Sequence, residues 1–335
     1  MRKMSFADAI ESALKQAMSE DPNVFLMGED LHTFRVNILA QFGNERVQST
    51  PISESAFLGA GVTAAMAGLR PVVEIMLIDF IGVAIDALLN HASKVYSFSG
   101  GKWNVPLVVR ASCGGGYGDG GQHEQSLWGW LAHIPGLNVV VPSNPADAGQ
   151  LMLSAIEADH PVIYLEHKLL ADYWLDYMGT GGRENVNFDV PQAGVQGLVP
   201  EKWEPLPVGK AICLREGSDL TFISLGVSVH RCMEAAEILA KEDFSTEVID
   251  LRWVSPLDTR TIIKSASKTK RVIVVDEDYL QFGLSGEIAA ILAEENGLKC
   301  QFGRIGTETT IPYNRHMEDN ILPNVKRILE LARKL

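Results

Sequence analysis

The feature that most constrains this chain is a repeated alternation of pattern. Short apolar runs rich in β-branched residues recur between stretches with helical spacing. In the first half the apolar runs cover 24–27, 71–78, 105–109, 137–141 and 161–165, and 6–19, 56–68, 82–96 and 146–158 read as helices. Strands separated by helices pair in parallel, and a parallel sheet needs cover on both faces. The last third repeats the scheme. Strands are expected at 220–225, 247–251, 271–275 and 302–305, and helices at 229–241, 258–267, 285–295 and 324–334. Between the two lies a stretch with Gly179-Thr180-Gly181-Gly182 and four prolines, Pro191, Pro200, Pro205 and Pro207. It has no sustained periodicity and reads as a linker. The expected organisation is an α/β domain over 1–175, a linker over 176–209 and a smaller α/β domain over 210–335. The length of 335 residues suits two domains, each able to bury a core.

Composition narrows the partners. Lys and Arg total 29 against 42 Asp and Glu, a net charge of −13. That excess argues against nucleic acid, where phosphate neutralisation calls for basic residues. It suits a basic protein partner, or solubility alone. The one stretch that resembles a membrane span, 72–89, contains Glu74, Asp79 and Asp86, which are costly in a bilayer. The first residues carry Asp8 and Glu11 and read as an amphipathic helix rather than a secretion signal. Cys113, Cys213, Cys232 and Cys300 are far apart and form no CxxC pair, which points to a reducing, cytoplasmic setting.

Taken singly, the chemical signals are ambiguous. Gly118-Asp119-Gly120, with Asn144 downstream, looks like the start of a thiamine-diphosphate magnesium motif. It lies several residues past its strand inside a glycine-rich stretch, whereas a metal-ligating Asp is normally held at a strand end, so it reads as a loop. No GxGxxG or Walker lysine is present, which leaves a nucleotide-binding reading without its phosphate fingerprint. His123 follows the glycine-rich stretch. A lone His is usually a surface or core residue, but ligands in parallel sheets bind outside the strand ends, and His can move a proton near neutrality. Glu54 follows Pro51 and opens a helix, where an acid is favoured by the helix dipole whether or not it does chemistry.

In combination, several runs are more specific. They are Gly28-Glu29-Asp30, Thr50-Pro51-Ile52-Ser53-Glu54, Ala64 through Pro71, Gly121-Gln122-His123, and Ile311-Pro312-Tyr313 followed by Glu318-Asp319-Asn320. From about residue 4 to 334 the chain resembles the beta subunits of thiamine-diphosphate-dependent 2-oxo acid dehydrogenases, whose members act on pyruvate, branched-chain 2-oxo acids or acetoin. The resemblance implies a pyrimidine-binding domain followed by a transketolase-like C-terminal domain. It implies an α2β2 heterotetramer with thiamine diphosphate at the subunit interface, the diphosphate and Mg²⁺ being held by the alpha subunit. On matching positions Glu54 hydrogen-bonds the aminopyrimidine ring and favours its imino tautomer. Phe80 packs on that ring, Ile52 and Met76 line the same pocket, and His123 stands near the reacting carbon during acyl transfer to a lipoyl group. By local sequence alone Phe80 is equally an ordinary core residue.

The resemblance carries two further implications. A monovalent cation, K⁺, binds this subunit in several members, largely through carbonyls, and the matching positions are Leu107, Ala155, Ile156, Ala158 and His160. Ala158 stands where Asp is common and His160 where Asn is common, so only carbonyl ligation would survive. The C-terminal domain meets a basic subunit-binding domain of a lipoyl acyltransferase core, so part of the −13 is expected to cluster there. The chain also departs from the pattern between Gly28-Glu29-Asp30 and Phe34-Arg35-Val36-Asn37, where a glycine-rich insertion is missing, and Ser49 stands where Asp is common. Two rivals remain: a free-standing transketolase-like enzyme, for which the chain is too short to hold its own diphosphate domain, and a non-catalytic binding or assembly protein on the same fold.

Overall fold

A computed structural model of the chain describes residues 1–171 and 188–335. Part of the expected linker, 176–187, lies outside the described residues. The first half builds a seven-stranded sheet from β2 (Val24–Glu29), β3 (Val47–Thr50), β4 (Arg70–Leu77), β5 (Val108–Cys113), β6 (Asn138–Val140) and β7 (Val162–His167), ordered β6-β7-β5-β4-β2-β3 and parallel throughout. The seventh strand, β12 (Trp253–Ser255), comes from the last third and pairs antiparallel with β6. The second sheet has the order β14-β13-β10-β11-β9. It is built from β9 (Ile212–Arg215), β10 (Leu220–Ser224), β11 (Thr246–Asp250), β13 (Arg271–Tyr279) and β14 (Gln301–Thr307), with only β9 antiparallel. The α/β expectation therefore holds in both halves.

Local chemistry sets the long helices. In α1 (Phe6–Glu20) Ser5 caps the first turn by accepting from the Asp8 amide. Its buried residues Phe6, Ala9, Ile10, Ala13, Leu14, Ala17 and Met18 follow helical spacing, so one face packs inward. The helix α2 (Glu54–Met66) starts directly after the Pro51 segment. In α3 (Pro145–Glu157) Asn144 accepts from the Asp147 amide, and Pro145 sits at the first helical position, where no amide hydrogen is needed.

Several details differ from expectation. Residues 82–96 do not form one helix; a 3₁₀ run covers Ile78–Ala84, a π-type turn Ala87–Ala92, and a short α-turn Val95–Phe98. The Ser93 amide reaches back to Leu88 O, a five-residue span that widens the turn. Strand β5 runs on to Cys113 because Arg110 is neutralised inside the sheet by Glu74 and Glu166. Residues 188–209 are not a bare tether. They contain β8 (Gln196–Val199), which pairs with β1 (Arg2–Ser5), and Trp203, whose indole is buried and donates to Ser12 Oγ. The apolar core is also shared: Phe57, Val73, Leu107 and Trp128 of the first half lie in one cluster with Ile223, Leu251, Val254 and Leu284 of the second.

Candidate active site

The parallel strands of the first sheet end together, and the residues just beyond them form the site. Glu29 ends β2 opposite Thr50 of β3, and the chain then turns through Pro51 and Ile52 into α2. Glu54, the first residue of α2, is buried, yet its carboxylate has no hydrogen-bond or ion-pair partner among the described residues. Glu29 lies close enough to feel it: burial first, then Asp30 and Glu54, raise the Glu29 carboxyl above its ordinary range. Ile52 is 75% exposed, an apolar side chain held out at the mouth. The Ser55 hydroxyl donates to Val83 O at 2.6 Å, tying the start of α2 to the 3₁₀ run that carries Phe80.

Phe80 and His123 meet edge to face, with ring centroids 5.7 Å apart and planes at 83°. His123 Nδ1 is buried with no partner. Next to Phe80, Asp79 Oδ1 accepts from the Gln125 amide at 2.7 Å while Oδ2 is buried and unpaired, and burial raises this carboxyl. The structure thus joins Phe80 and His123 directly, and the electrostatics join Glu54 to Glu29. Met76 faces a cavity of about 40 Å³ lined also by Glu29, Phe34 and Arg35. A buried ion network forms part of the wall of that cavity. Arg35 holds Glu74 through Nε (3.0 and 3.1 Å) and Nη2 (2.7 Å). Arg110 reaches Glu74 and Glu166, each at 2.9 Å. Burial alone would raise the Glu74 carboxyl, but Arg110 and Arg35 outweigh it and hold it at about 2.

The glycine-rich stretch before His123 has a definite shape. Gly114, Gly116, Gly118 and Gly120 all have positive φ, from 74° to 95°, the region that glycine enters without Cβ strain. This winding turns backbone amides onto carboxylates. Gly115 N donates to Glu277 Oε1 (2.8 Å), Tyr117 N and Gly120 N donate to Glu124 (2.7 and 2.9 Å), and Gly118 N donates to Glu318 Oε1 (2.9 Å). At its end the buried Lys168 donates from Nζ to His123 O at 2.5 Å and lies over the Tyr117 ring. Residues 118–120 lie in a loop, as expected, and two of their three backbone amides, those of Gly118 and Gly120, donate to protein carboxylates.

Sequence reasoning overlooked much of this surround. Glu277 and Tyr279 arrive from β13 of the second half. Glu277 also receives His167 Nε2 (2.8 Å) and Arg231 Nη1 (3.0 Å), and Tyr279 donates to Gln125 Oε1 (3.0 Å). A signal was available. Charged triplets, Glu166-His167-Lys168 and Asp276-Glu277-Asp278, close two otherwise apolar strand patterns, where parallel sheets place their ligands. The expected cation ligands gather around the end of α3, where Arg70 Nη1 already donates to Ile156 O (2.9 Å) and Ala158 O (3.1 Å). Leu107 O accepts from Val162 N, and His160 Nε2 lies 2.5 Å from the Asn138 side-chain nitrogen. Ile156 O and Ala158 O therefore each already accept one hydrogen bond from Arg70.

Comparison with known proteins bears on what such a site does. The transketolase pyrimidine-binding domain matches residues 2–172, and the transketolase C-terminal domain matches 209–328. The acetoin:2,6-dichlorophenolindophenol oxidoreductase subunit beta of Cupriavidus necator is 36% identical over 99% of this chain and 97% of its own length. The mitochondrial pyruvate dehydrogenase E1 component subunit beta of Dictyostelium discoideum is 37% identical, over 100% of this chain and 91% of its own. In fold, the beta4 tetramer of a split-gene transketolase superposes with a TM-score of 0.76 at 20% identity, over 99% of this chain and 97% of that one. The chain belongs to the beta subunits of the thiamine-diphosphate-dependent 2-oxo acid and acetoin dehydrogenases.

Proposed function

We propose that this chain is the half of a two-chain decarboxylating dehydrogenase that holds the aminopyrimidine end of the coenzyme. The observation that carries this reading is Glu54, a buried residue whose carboxylate has no protein partner, on a helix whose start is tied to the run that carries Phe80, together with the Phe80–His123 ring pair, in which His123 Nδ1 is buried and unpaired. Buried polar groups are normally satisfied, and orphans at strand ends mark where a ligand completes the set. These groups fit thiamine diphosphate. When bound, it supplies a nucleophilic carbon and an electron sink for loss of CO₂. Glu54 holds a proton at the aminopyrimidine nitrogen, Phe80 with Ile52 and Met76 provides apolar contact, and His123 gives or takes a proton near the reacting carbon. Lys168 and the glycine winding fix where His123 stands.

Mg²⁺ and the diphosphate belong to an alpha subunit in this reading; for the diphosphate it is supported by the loop amides being spent on Glu124 and Glu318. The acyl group then passes to a lipoyl group on an acyltransferase core, and the setting is the cytoplasm; no helix among the described residues is long and apolar enough to cross a membrane. The charge expectation for the docking of that core needs correction. Residues 210–335 carry 17 basic and 19 acidic side chains, and residues 1–209 carry 12 and 23. The acid excess lies in the first part, so it gives no support to a basic partner at the C-terminal domain. The substrate is a 2-oxo acid or acetoin. Selectivity among them rests on apolar contacts worth about 1–3 kcal/mol per methylene.

The test is reconstitution. The chain with coenzyme and Mg²⁺ should turn over neither pyruvate, 2-oxoisovalerate nor acetoin, and adding an alpha subunit encoded beside it should give turnover of one of them. Turnover by the chain alone overturns the two-chain reading.

A further inference from the structure

The glycine winding before His123 is laid against the tail of the chain. A Cβ at Gly115 would meet Leu322, and one at Gly120 would run into the Tyr313 ring. Glycine permits so close an approach. Two carboxyl groups lie where these segments meet. Glu124 follows His123 directly, and Glu318 ends the turn Arg315–Glu318, whose first amides donate to Asn314 Oδ1. Both glutamates are fully buried. Glu124 accepts from Tyr117 N and Gly120 N, and Glu318 accepts from Gly118 N, so one stretch of amides serves both. The two side chains touch, and Glu318 Oε2 has no donor to serve it.

Two carboxyl groups in contact in a buried site cannot both ionise, and one of them keeps a proton. The titratable and charged groups around this pair, among the described residues, are Lys168 just after β7, Asp119 and His123 from the winding and its end, and Arg315 and Asp319 from the tail. They do not treat the two glutamates alike. Glu124 has two amide donors and helps the buried Lys168 hold its charge. Glu318 has one amide donor. Arg315 Nη1 lies 3.8 Å from Glu318 Oε2 but 2.6 Å from Asp319 Oδ1, so its charge is mostly spent elsewhere. Burial, and then Glu124, raise the Glu318 carboxyl far above the ordinary glutamate range. A hydroxyl at Oε2 that donates to Glu124 would give the orphan atom its partner.

We propose that Glu318 keeps a proton and donates it to Glu124, and that this carboxyl–carboxylate bond fastens the winding to the tail and positions His123. The positioning role rests on the proton-transfer reading of His123; the shared proton does not. The first test uses the full chain alone, with glutamate ¹³C-labelled at the carboxyl carbon and NMR spectra recorded across pH. An ordinary glutamate is ionised at pH 7. One resonance should stay protonated there, vanish in Glu318→Gln, and ionise at lower pH in Glu124→Gln, which serves alone if the first variant fails to fold. A chain whose glutamates are all ionised at pH 7 overturns the proposal without any variant, and so does a protonated resonance that neither substitution moves. The second test is kcat against pH in the enzyme reconstituted with an alpha subunit. Loss of the proton sets two carboxylates against each other and frees the winding, so kcat should fall on the alkaline side. Glu318→Gln, whose amide donates at every pH, should move that limb to higher pH. Glu318→Ala should lower kcat about ten- to a hundredfold at pH 7. A limb left in place by Glu318→Gln, or an unchanged kcat in Glu318→Ala, overturns the positioning role. An enzyme that stays inactive on reconstitution overturns the catalytic reading and the positioning role with it, while the NMR result on the chain alone decides the shared proton separately.

Discussion

At the scale of single residues, the site separates groups that serve the fold from groups that do not. Glu54 touches no protein donor, so removing its charge has little to disturb. Glu54→Gln should leave the free energy of unfolding unchanged to within about 0.5 kcal/mol, the range for changes away from structural contacts. In the reconstituted enzyme it should abolish hydrogen–deuterium exchange at the thiazolium carbon; exchange at the parent rate would remove Glu54 from the role assigned to it. Glu277 is the opposite case. Burial would raise its carboxyl from 4.5, but His167 and Arg231 outweigh this and hold it at about 2. A carboxyl depressed in the folded state stabilises above its unfolded pKa, and that stability is lost as pH falls from about 4.5 toward 2, on the order of 3 kcal/mol. Glu74 titrates over the same window. Glu277→Gln should therefore lower stability at pH 7 and make the acid limb of a stability–pH curve shallower without flattening it. An unchanged limb would show that Glu277 is not the depressed group. Sequence could name Glu54 and His123 because they sit in recognisable runs. Glu277 stood out only as part of a charged triplet at a strand end, and its pairing could not be read because its partners lie 110 and 46 positions away in the chain.

Among the elements, the glycine winding before His123 carries the sharpest expectation. Gly114, with φ of +93°, has no room for a methyl group, since a Cβ would run into the His167 ring. Gly118 has φ of +87°, but its nearest neighbour, Arg315, would stand 3.5 Å from a Cβ. Gly118→Ala should therefore cost only backbone strain, about 1–2 kcal/mol. Gly114→Ala should cost clearly more, because His167 must also leave Glu277. Denaturant unfolding of the two variants checks the order, and equal losses would mean the loop relaxes freely. The legibility of elements followed their burial. Helices and central strands announced themselves because one-sided or two-sided burial imposes a period. The pairs β1–β8 and β6–β12 did not: β1, β8 and β12 are three or four residues long, and edge strands carry little hydrophobic signature. The expected helix over 82–96 had the right apolar spacing, but spacing does not distinguish 3₁₀, α and π turns.

For the whole molecule, two family domains need not mean two folding units. Strand β12 leaves the second half to complete the first sheet at β6. One apolar cluster contains side chains of both halves. Glu277 reaches across to Gly115 and His167, Asp276 accepts from the buried Trp128 indole at 2.9 Å, and Arg252 clamps Asp147 through two nitrogens at 2.7 and 2.8 Å. All of these groups are buried except Arg252, which is partly exposed, and leaving one partner of a buried ion pair behind costs roughly 3–5 kcal/mol. That is comparable to the total stability of many domains, roughly 5–15 kcal/mol. The two halves should accordingly unfold together. Calorimetry of the full chain should give one transition with calorimetric and van't Hoff enthalpies in agreement. A fragment of residues 1–209 lacks β12 and leaves Asp147, Trp128 and His167 without their partners from the second half, so it should show no cooperative transition. Two resolved transitions in the full chain, or a fragment that melts cooperatively near the full chain's midpoint, would show instead that the halves are independent bodies and that the shared cluster is contact without coupling.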